Sequence, residues 1–377
     1  MSISRCGRKV CGSRSRTIRG MSGTRSIRQN WKKGRSQAGQ HARSPRSCRL
    51  FSRRCTCGIA ARPRLLLNTT TNRLTPGGSF DCPSFESLAD KLTKLDRGTV
   101  PVWATKVTVG VDVQLRCLFW LTVAWADDFT GSIINYGAWP DQARSYFDLA
   151  NLNPTLQQAS GMSQMEPSLR WGLDGLSNAV LSRTLPREGG GEIAVGKFVV
   201  DANWGPSTDT VYEFCRRSTF GGVIVPAHGR GIKAGDNPMD SWPKKPGETH
   251  GWNWIQTPGT NQRAVRHVIF DTNFWKTLLA ERSMAAVGER GSLSAFGTRP
   301  EQHKMLLDHL KAESPIRTAG RGREVWEWKP RPNVDNHWLD CLNMAAVGAS
   351  MDGVQLNGMP SQKTRPLRTF SLPGARA

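Results

Sequence analysis

Three aspartates stand where a metal-dependent nuclease would need its carboxylates. Asp112 closes the apolar run Val107-Thr-Val-Gly-Val-Asp112, and Asp201 closes Phe198-Val-Val-Asp201. Asp340 lies inside the helix-like stretch Asn336-His-Trp-Leu-Asp340-Cys341. A carboxylate at the tip of a buried strand is costly to keep charged unless a cation faces it. Two strand tips and one helix carboxylate could therefore converge on a pair of divalent ions. Each also has an ordinary explanation. Asp112 can start a turn with Gln114, and Asp201 can cap the turn Ala202-Asn-Trp-Gly205. Asp340 is harder to dismiss, because Asp is a poor helix-interior residue and its helix contains no Lys or Arg. A metal would supply the missing charge; the bland alternative is an exposed outer face.

The elements that must position these residues follow from periodicity. Phe85, Leu88, Leu92 and Leu95 share a helical spacing. Residues 107–112, 117–125 and 131–139 form three successive strands whose short connections favour antiparallel hairpins. Along the first, Val107, Val109 and Val111 share one face, and Thr108, Gly110 and Asp112 the other. Gly110 leaves room beside Asp112 for a close ligand or backbone. A helical excursion over about 141–185 precedes a strand at 193–201 and a helix at 207–217. Val223-Ile-Val-Pro226 is a buried strand, and 226–263 is expected to be an extended surface loop. A strand at 267–270 enters a helix at 272–283. A helix at 300–313, a strand at 324–329 and a last helix at 335–350 complete the series. Antiparallel strands, an excursion, then strand–helix–strand predict an α/β fold: a ribonuclease H-like mixed sheet flanked by helices. Asp112 and Asp201 become neighbours if their strands pair in parallel.

Charge divides the chain unevenly. Residues 1–80 hold 19 of the 52 Lys and Arg and none of the 30 Asp and Glu, so the formal +22 belongs mostly to that segment. Its Arg, Ser and Gly cannot bury enough surface to fold alone. Three explanations stand open for this basic, disordered arm: a phosphate grip, a targeting presequence, or sequence upstream of a mis-assigned start. The expected organisation is the arm at 1–80, a linker helix at 81–100, a nuclease domain at 101–350 and a disordered tail at 351–377.

Five of nine cysteines lie in the arm, and Cys55-Thr-Cys57 has no partner pair at zinc spacing. Cys117, Cys215 and Cys341 adjoin apolar runs, as buried free thiols do. No disulfide framework is implied, and no segment has membrane-span or secretory character, so a soluble protein of the host cytoplasm is expected, neither secreted nor membrane-bound. Gly191-Glu-Ile-Ala-Val-Gly196-Lys197 has phosphate-loop spacing, but Phe198 replaces the magnesium-holding hydroxyl and the segment enters a strand. No ATPase activity is expected. Glu327-Trp-Lys329 with Asp308 upstream is a weaker nuclease-like pattern. His228, His250, His303 and His309 show no paired zinc spacing.

An ordered set of pieces resembles the lambda-type large terminase subunit of tailed phages, specifically its C-terminal nuclease half. They are Val109-Gly-Val-Asp112-Val-Gln114, Asp201 after its strand, Val225-Pro-Ala-His-Gly-Arg230, Asp271-Thr-Asn-Phe-Trp-Lys276, His309-Leu-Lys-Ala-Glu313 and Asn336-His-Trp-Leu-Asp340. The resemblance implies a two-metal-ion endodeoxyribonuclease that cuts concatemeric viral DNA for packaging. Asp112, Asp201 and Asp340 would hold two Mg²⁺ or Mn²⁺ ions, with Asp112 bridging. Arg230 and Lys233 are candidate DNA contacts. Lys276 either steadies a phosphate or sits on a helix surface. Implied partners are double-stranded DNA, a separate ATPase motor polypeptide, a small terminase subunit and a portal protein. The competing functions are a transposase or integrase on the same fold, and a degenerate, non-catalytic prophage-derived DNA-binding protein.

Overall fold

The computed structural model describes residues 82–259 and 265–356. The arm at 1–80 and residues beyond Leu356 lie outside them. Three antiparallel strands open the fold: β1 (Lys106–Val113), β2 (Leu118–Trp125) and β3 (Gly131–Trp139). Two helices, α1 (Leu156–Ser160) and α2 (Met165–Leu181), make the excursion. A small hairpin, β4 (Leu185–Pro186) with β5 (Glu192–Ile193), follows. The chain then re-enters the sheet as β6 (Lys197–Asp201), leaves through α3 (Thr208–Arg217) and returns as β7 (Ile224–Arg230). Next come β8 (Thr249–Gly251), β9 (Trp254–Thr257), β10 (His267–Asp271), α4 (Thr272–Met284) and β11 (Leu293–Ala295). Helix α5 (Lys304–Leu310), a hairpin of β12 (Glu313–Gly320) and β13 (Arg323–Pro330), and α6 (His337–Met351) end the described chain.

Nine strands form one mixed sheet in the order β11-β3-β2-β1-β6-β7-β10-β9-β8. Strands β1, β6, β7 and β10 run parallel to one another, while β2 runs antiparallel beside β1. This is the expected ribonuclease H-like α/β arrangement. The parallel centre is covered on both faces, which is why β6 is an apolar run with no alternation. Val107, Val109, Val111, Phe198 and Val200 pack with Leu169 and Leu173 of α2 and Val211 and Phe214 of α3. The opposite face carries α6, whose Leu339, Leu342 and Ala345 join Phe119, Val199 and Trp275 in a second core.

The face division expected along β1 sets how close α6 can come. A Cβ on Gly110 would lie 1.9 Å from the carbonyl oxygen of Cys341, so only glycine admits the helix backbone there. Two bonds fasten the contact. Thr108 Oγ1 donates to the Ala345 carbonyl at 2.7 Å, and Cys341 Sγ donates to the Phe119 carbonyl at 3.3 Å. The room beside Asp112 is filled by backbone.

Several local expectations are corrected. The helix expected from Phe85 to Leu95 is one 3₁₀ turn, Glu86–Asp90. The strand expected at 193–201 breaks at Gly196, where a Cβ would sit 2.4 Å from Asp352 Oδ2. The expected 226–263 loop contains the end of β7, the strand β9 and the edge strand β8, with residues 260–264 outside the described ones. Those strands are too short to show a period. The helix expected through residue 313 ends at Leu310, and Glu313 begins β12. Cys117, Cys215 and Cys341 are buried free thiols. No helix among the described residues is long and apolar enough to cross a membrane.

Replacing Gly110 with Ala is expected to cost about 3 kcal/mol or more, the upper end for overpacking, because a helix carbonyl cannot yield as a side chain can. Denaturant unfolding measures this; a loss under about 1 kcal/mol would mean that α6 does not rest on β1 at this position.

Candidate active site

Backbone pairing brings the first two aspartates together. Val111 on β1 is paired with Val200 on β6 in a parallel register. Asp112 and Asp201 are the next residues on each strand, so they stand side by side at the carboxyl end of the sheet centre. Asp340 reaches the same place from α6. It occupies the first turn of that helix, not its interior. There the helix dipole favours a carboxylate, and the interior penalty expected from sequence does not apply.

The Asp112 carboxylate is held by two donors on one oxygen. Its Oδ2 accepts from Gln114 Nε2 at 2.9 Å and lies 2.7 Å from His337 Nδ1. The His337 ring stacks on Phe119 with centroids 4.3 Å apart, which fixes its plane. Burial alone would lower the affinity of His337 for its second proton, but Asp112, Asp335 and Asp340 outweigh burial and raise it. The neighbouring His309 is pushed down to about 3 by burial and by His337, and is therefore neutral. Asp201 accepts from the Asn203 backbone N–H at 3.1 Å. Its carboxyl is pushed up to about 8, first by burial and then by Asp112, with a smaller contribution from Asp340.

Asp340 has a cation after all. Lys276 of α4 places its ammonium 2.8 Å from Asp340 Oδ1 and 2.6 Å from Glu313 Oε1. Asn336 ties the same two carboxylates together, donating to Glu313 Oε1 at 2.7 Å and to Asp340 Oδ2 at 3.0 Å. Two expectations fall here: that no protein charge answers Asp340, and that Lys276 lies on a helix surface. Lys276 is only 5% exposed. Burial alone would lower its pKa, but Asp340 and Glu313 outweigh that and raise it, so it stays an ammonium. Asp340 itself is raised by burial, against the pull of Lys276 and with the push of Asp112 and Glu313.

The Asp271-Thr-Asn-Phe-Trp-Lys276 piece delivers this lysine. Asp271 accepts from the backbone N–H groups of Asn273 and Phe274 and so caps α4 as it leaves β10. Asn273 Oδ1 accepts from the Trp328 N–H at 3.0 Å, docking the β12–β13 hairpin against the helix start. Lys276 follows one turn later, facing Glu313 at the start of β12. Lys233, Lys276, Glu313 and Lys329 share a cavity of about 210 Å³, connected to Asp340 through Lys276. Arg230, the last residue of β7, and Lys233 just beyond it are exposed at the same end of the sheet.

Lys276 entered the sequence reading only as a phosphate or surface residue. His337, Gln114, Glu313 and Asn336 lay inside the motif pieces without roles. No spacing rule joins α4, β12 and α6 around one carboxylate, so their partnership had no signal in the linear pattern. The lesser patterns dissolve. Lys329 pairs with its own neighbour Glu327 at 3.0 Å, while Asp308 accepts from Tyr146 Oη. Gly189, Gly190 and Gly191 turn the β4–β5 hairpin, and no helix follows Lys197.

Among the described residues, no group of three or more His, Cys, Asp or Glu side chains is already arranged to hold a metal ion. The donor chemistry nonetheless suits a hard divalent cation. Asp112, Asp201, Asp340 and Glu313 face Lys276 and His337, so acidic side chains outnumber basic ones. Asp112 Oδ1 points to no hydrogen-bond partner among the described residues, and Asp201 is met only by backbone N–H groups. Carboxylate oxygens are what Mg²⁺ and Mn²⁺ prefer.

A mixed sheet of this order, with carboxylates at the ends of two central parallel strands and a third on the covering helix, has the architecture of ribonuclease H-like nucleases. The family model of the terminase large subunit gpA endonuclease domain matches residues 81–362, and the chain belongs to that family. No curated protein and no solved structure matches the chain. The family is that of phage DNA-packaging endonucleases.

Without divalent ions, the folded protein is expected to lose stability as pH rises from about 6.5 to 8, above the range in which the lowered His309 and His303 contribute with the opposite sign. Asp201, raised to about 8, and Asp271, raised to about 7, bind protons more tightly when folded than when unfolded. Raised His337 acts with the same sign, its contribution being present at low pH and lost as pH climbs through its folded value. Melting in EDTA across this range tests the slope. Asp201→Asn should flatten it; a midpoint that rises toward pH 8 would contradict the arrangement.

Proposed function

We propose that this chain is a divalent-metal-dependent DNA endonuclease of terminase type, with Asp112, Asp201 and Asp340 as its catalytic carboxylates. The observation that carries the reading is the parallel register that aligns Asp112 with Asp201 beneath Asp340, within a chain of the terminase endonuclease family. Double-stranded DNA is the substrate, and Mg²⁺ or Mn²⁺ the cofactor, two ions by family resemblance.

The chain's own residues divide the work. Asp112 and Asp201 would hold one ion between adjacent strand ends, and Asp340 would complete the second position. Bound there, such ions lower the pKa of a water and neutralise phosphate charge. His337 and Gln114 fix the Asp112 carboxylate through one oxygen and leave the other to face the site. The Asn203 N–H does the same for Asp201. Arg230 and Lys233, exposed beside the cavity, would meet the DNA backbone, where their charge positions the duplex without reading its sequence.

Incubation of the purified protein with supercoiled plasmid and Mn²⁺ is expected to give nicked and linear DNA, and EDTA to abolish it. Asp112→Asn or Asp201→Asn should reduce cutting about 100-fold or more while leaving the fold intact, as loss of a metal-site carboxylate removes charge stabilisation. His337→Gln should cost about 10–100-fold, the usual effect of removing a ligand's orienting partner. Absence of Mn²⁺-dependent cutting by the unaltered protein would favour a DNA-binding role without catalysis. Strand-joined products would favour a transposase-type reaction.

A further inference from the structure

We propose that Lys276 is a built-in competitor for the second divalent ion, so that the chain takes up one ion readily and a second only by displacing this ammonium from Asp340. The inference rests on the metal-dependent reading above and goes beyond it by separating the two positions.

Counting oxygen donors makes the separation. On the strand side, Asp112 Oδ1 accepts no hydrogen bond among the described residues, and Asp201 meets only backbone N–H groups, with no side-chain cation on it. A cation arriving there breaks no ion pair of Asp201. On the helix side, both oxygens of Asp340 are taken, Oδ1 by Lys276 at 2.8 Å and Oδ2 by Asn336 at 3.0 Å. A cation arriving there must break an ion pair whose ammonium is buried, though the Asp340 side chain is 34% exposed. A pair with one buried member is harder to separate than one exposed on both sides.

Glu313 makes the exchange feasible. Lys276 already shares its charge between two carboxylates, and Glu313 Oε1 is the nearer at 2.6 Å. When Asp340 turns to a metal ion, Lys276 keeps a partner and is not left as a bare buried charge, a state that would cost several kcal/mol. Asn336 bridges the same two groups, so the carboxylates stay in place while the ammonium moves. Lys276 is thus a positioning residue with two settings, one shared and one on Glu313 alone. The cavity it lines with Glu313 and Glu327 leaves the displaced ammonium room on the acidic side.

Titration of Mn²⁺ alone into the full chain, without DNA, tests this, with the free aqua ion followed by its paramagnetic resonance signal. The unaltered protein should show two classes of site, the second at least about 10-fold weaker. Lys276→Gln should tighten the second site about 10-fold or more and leave the first within about 2-fold. Glu313→Gln should shift the second site the opposite way, because Lys276 is then left with Asp340 as its one carboxylate. Thermal melting establishes that each variant is folded; if Lys276→Gln does not fold, the direction of the Glu313→Gln shift decides. Two equal sites in the unaltered protein, or no weakening of the second site in Glu313→Gln, overturns the inference while leaving the metal reading intact. No Mn²⁺ uptake by the unaltered protein overturns both.

Discussion

The contact between Gly110 and the carbonyl of Cys341 is the constraint on which the rest depends. Helix α6 can carry Asp340 to the ends of β1 and β6 only by lying directly on the strand backbone. A missing side chain makes that possible at one position, and Gly348 continues the approach from the helix side, where a Cβ would stand 3.0 Å from Val199 Cγ2. The Thr108 hydroxyl, which accepts from Trp125 Nε1 and donates to Ala345, locks the helix along the strand. Close packing of this kind tolerates little adjustment. The carboxylate geometry is therefore a property of the core and not of a mobile loop.

Charge imposes the second constraint. Placing Asp112, Asp201 and Asp340 together costs free energy unless each is answered, and each is answered differently. Asp112 has His337, an imidazole whose hold on its second proton is raised by the acids around it. Asp340 has Lys276. Asp201 has only backbone N–H groups, and its carboxyl accordingly rises to about 8. The unmet demand falls on the strand-end pair, where unengaged oxygens remain. Perturbed titration produced by burial and like charge together is the usual mark of a functional site, and here both causes act on Asp201 and Asp340.

Legibility followed the length and period of each segment. Strands β1 to β3 were readable because long apolar runs with short turns admit few alternatives, and the alternation Val107, Val109, Val111 against Thr108, Gly110, Asp112 assigned the faces of β1 correctly. Helix α4 was readable from its start after Asp271. Strands β8, β9 and β11 were not, being three or four residues long and stabilised by the neighbouring strands rather than by their own pattern. The β12–β13 hairpin was half visible: Val325-Trp-Glu-Trp328 has strand character, whereas Glu313-Ser-Pro-Ile316 follows a helix without a clear break.

The sequence by itself determined the mixed α/β fold, the strand ends that carry Asp112 and Asp201, and the helix that carries Asp340, because hydrophobic period and turn chemistry act between near neighbours. Tertiary structure alone decided what those carboxylates face. It brought Lys276 from α4, Glu313 from β12, and Asn336 and His337 from α6 around them, and it moved Asp340 from a supposed helix interior to a first turn. Partners so far apart in the chain meet only through packing, and an ion pair leaves no trace in composition until its two members are brought within about 3 Å.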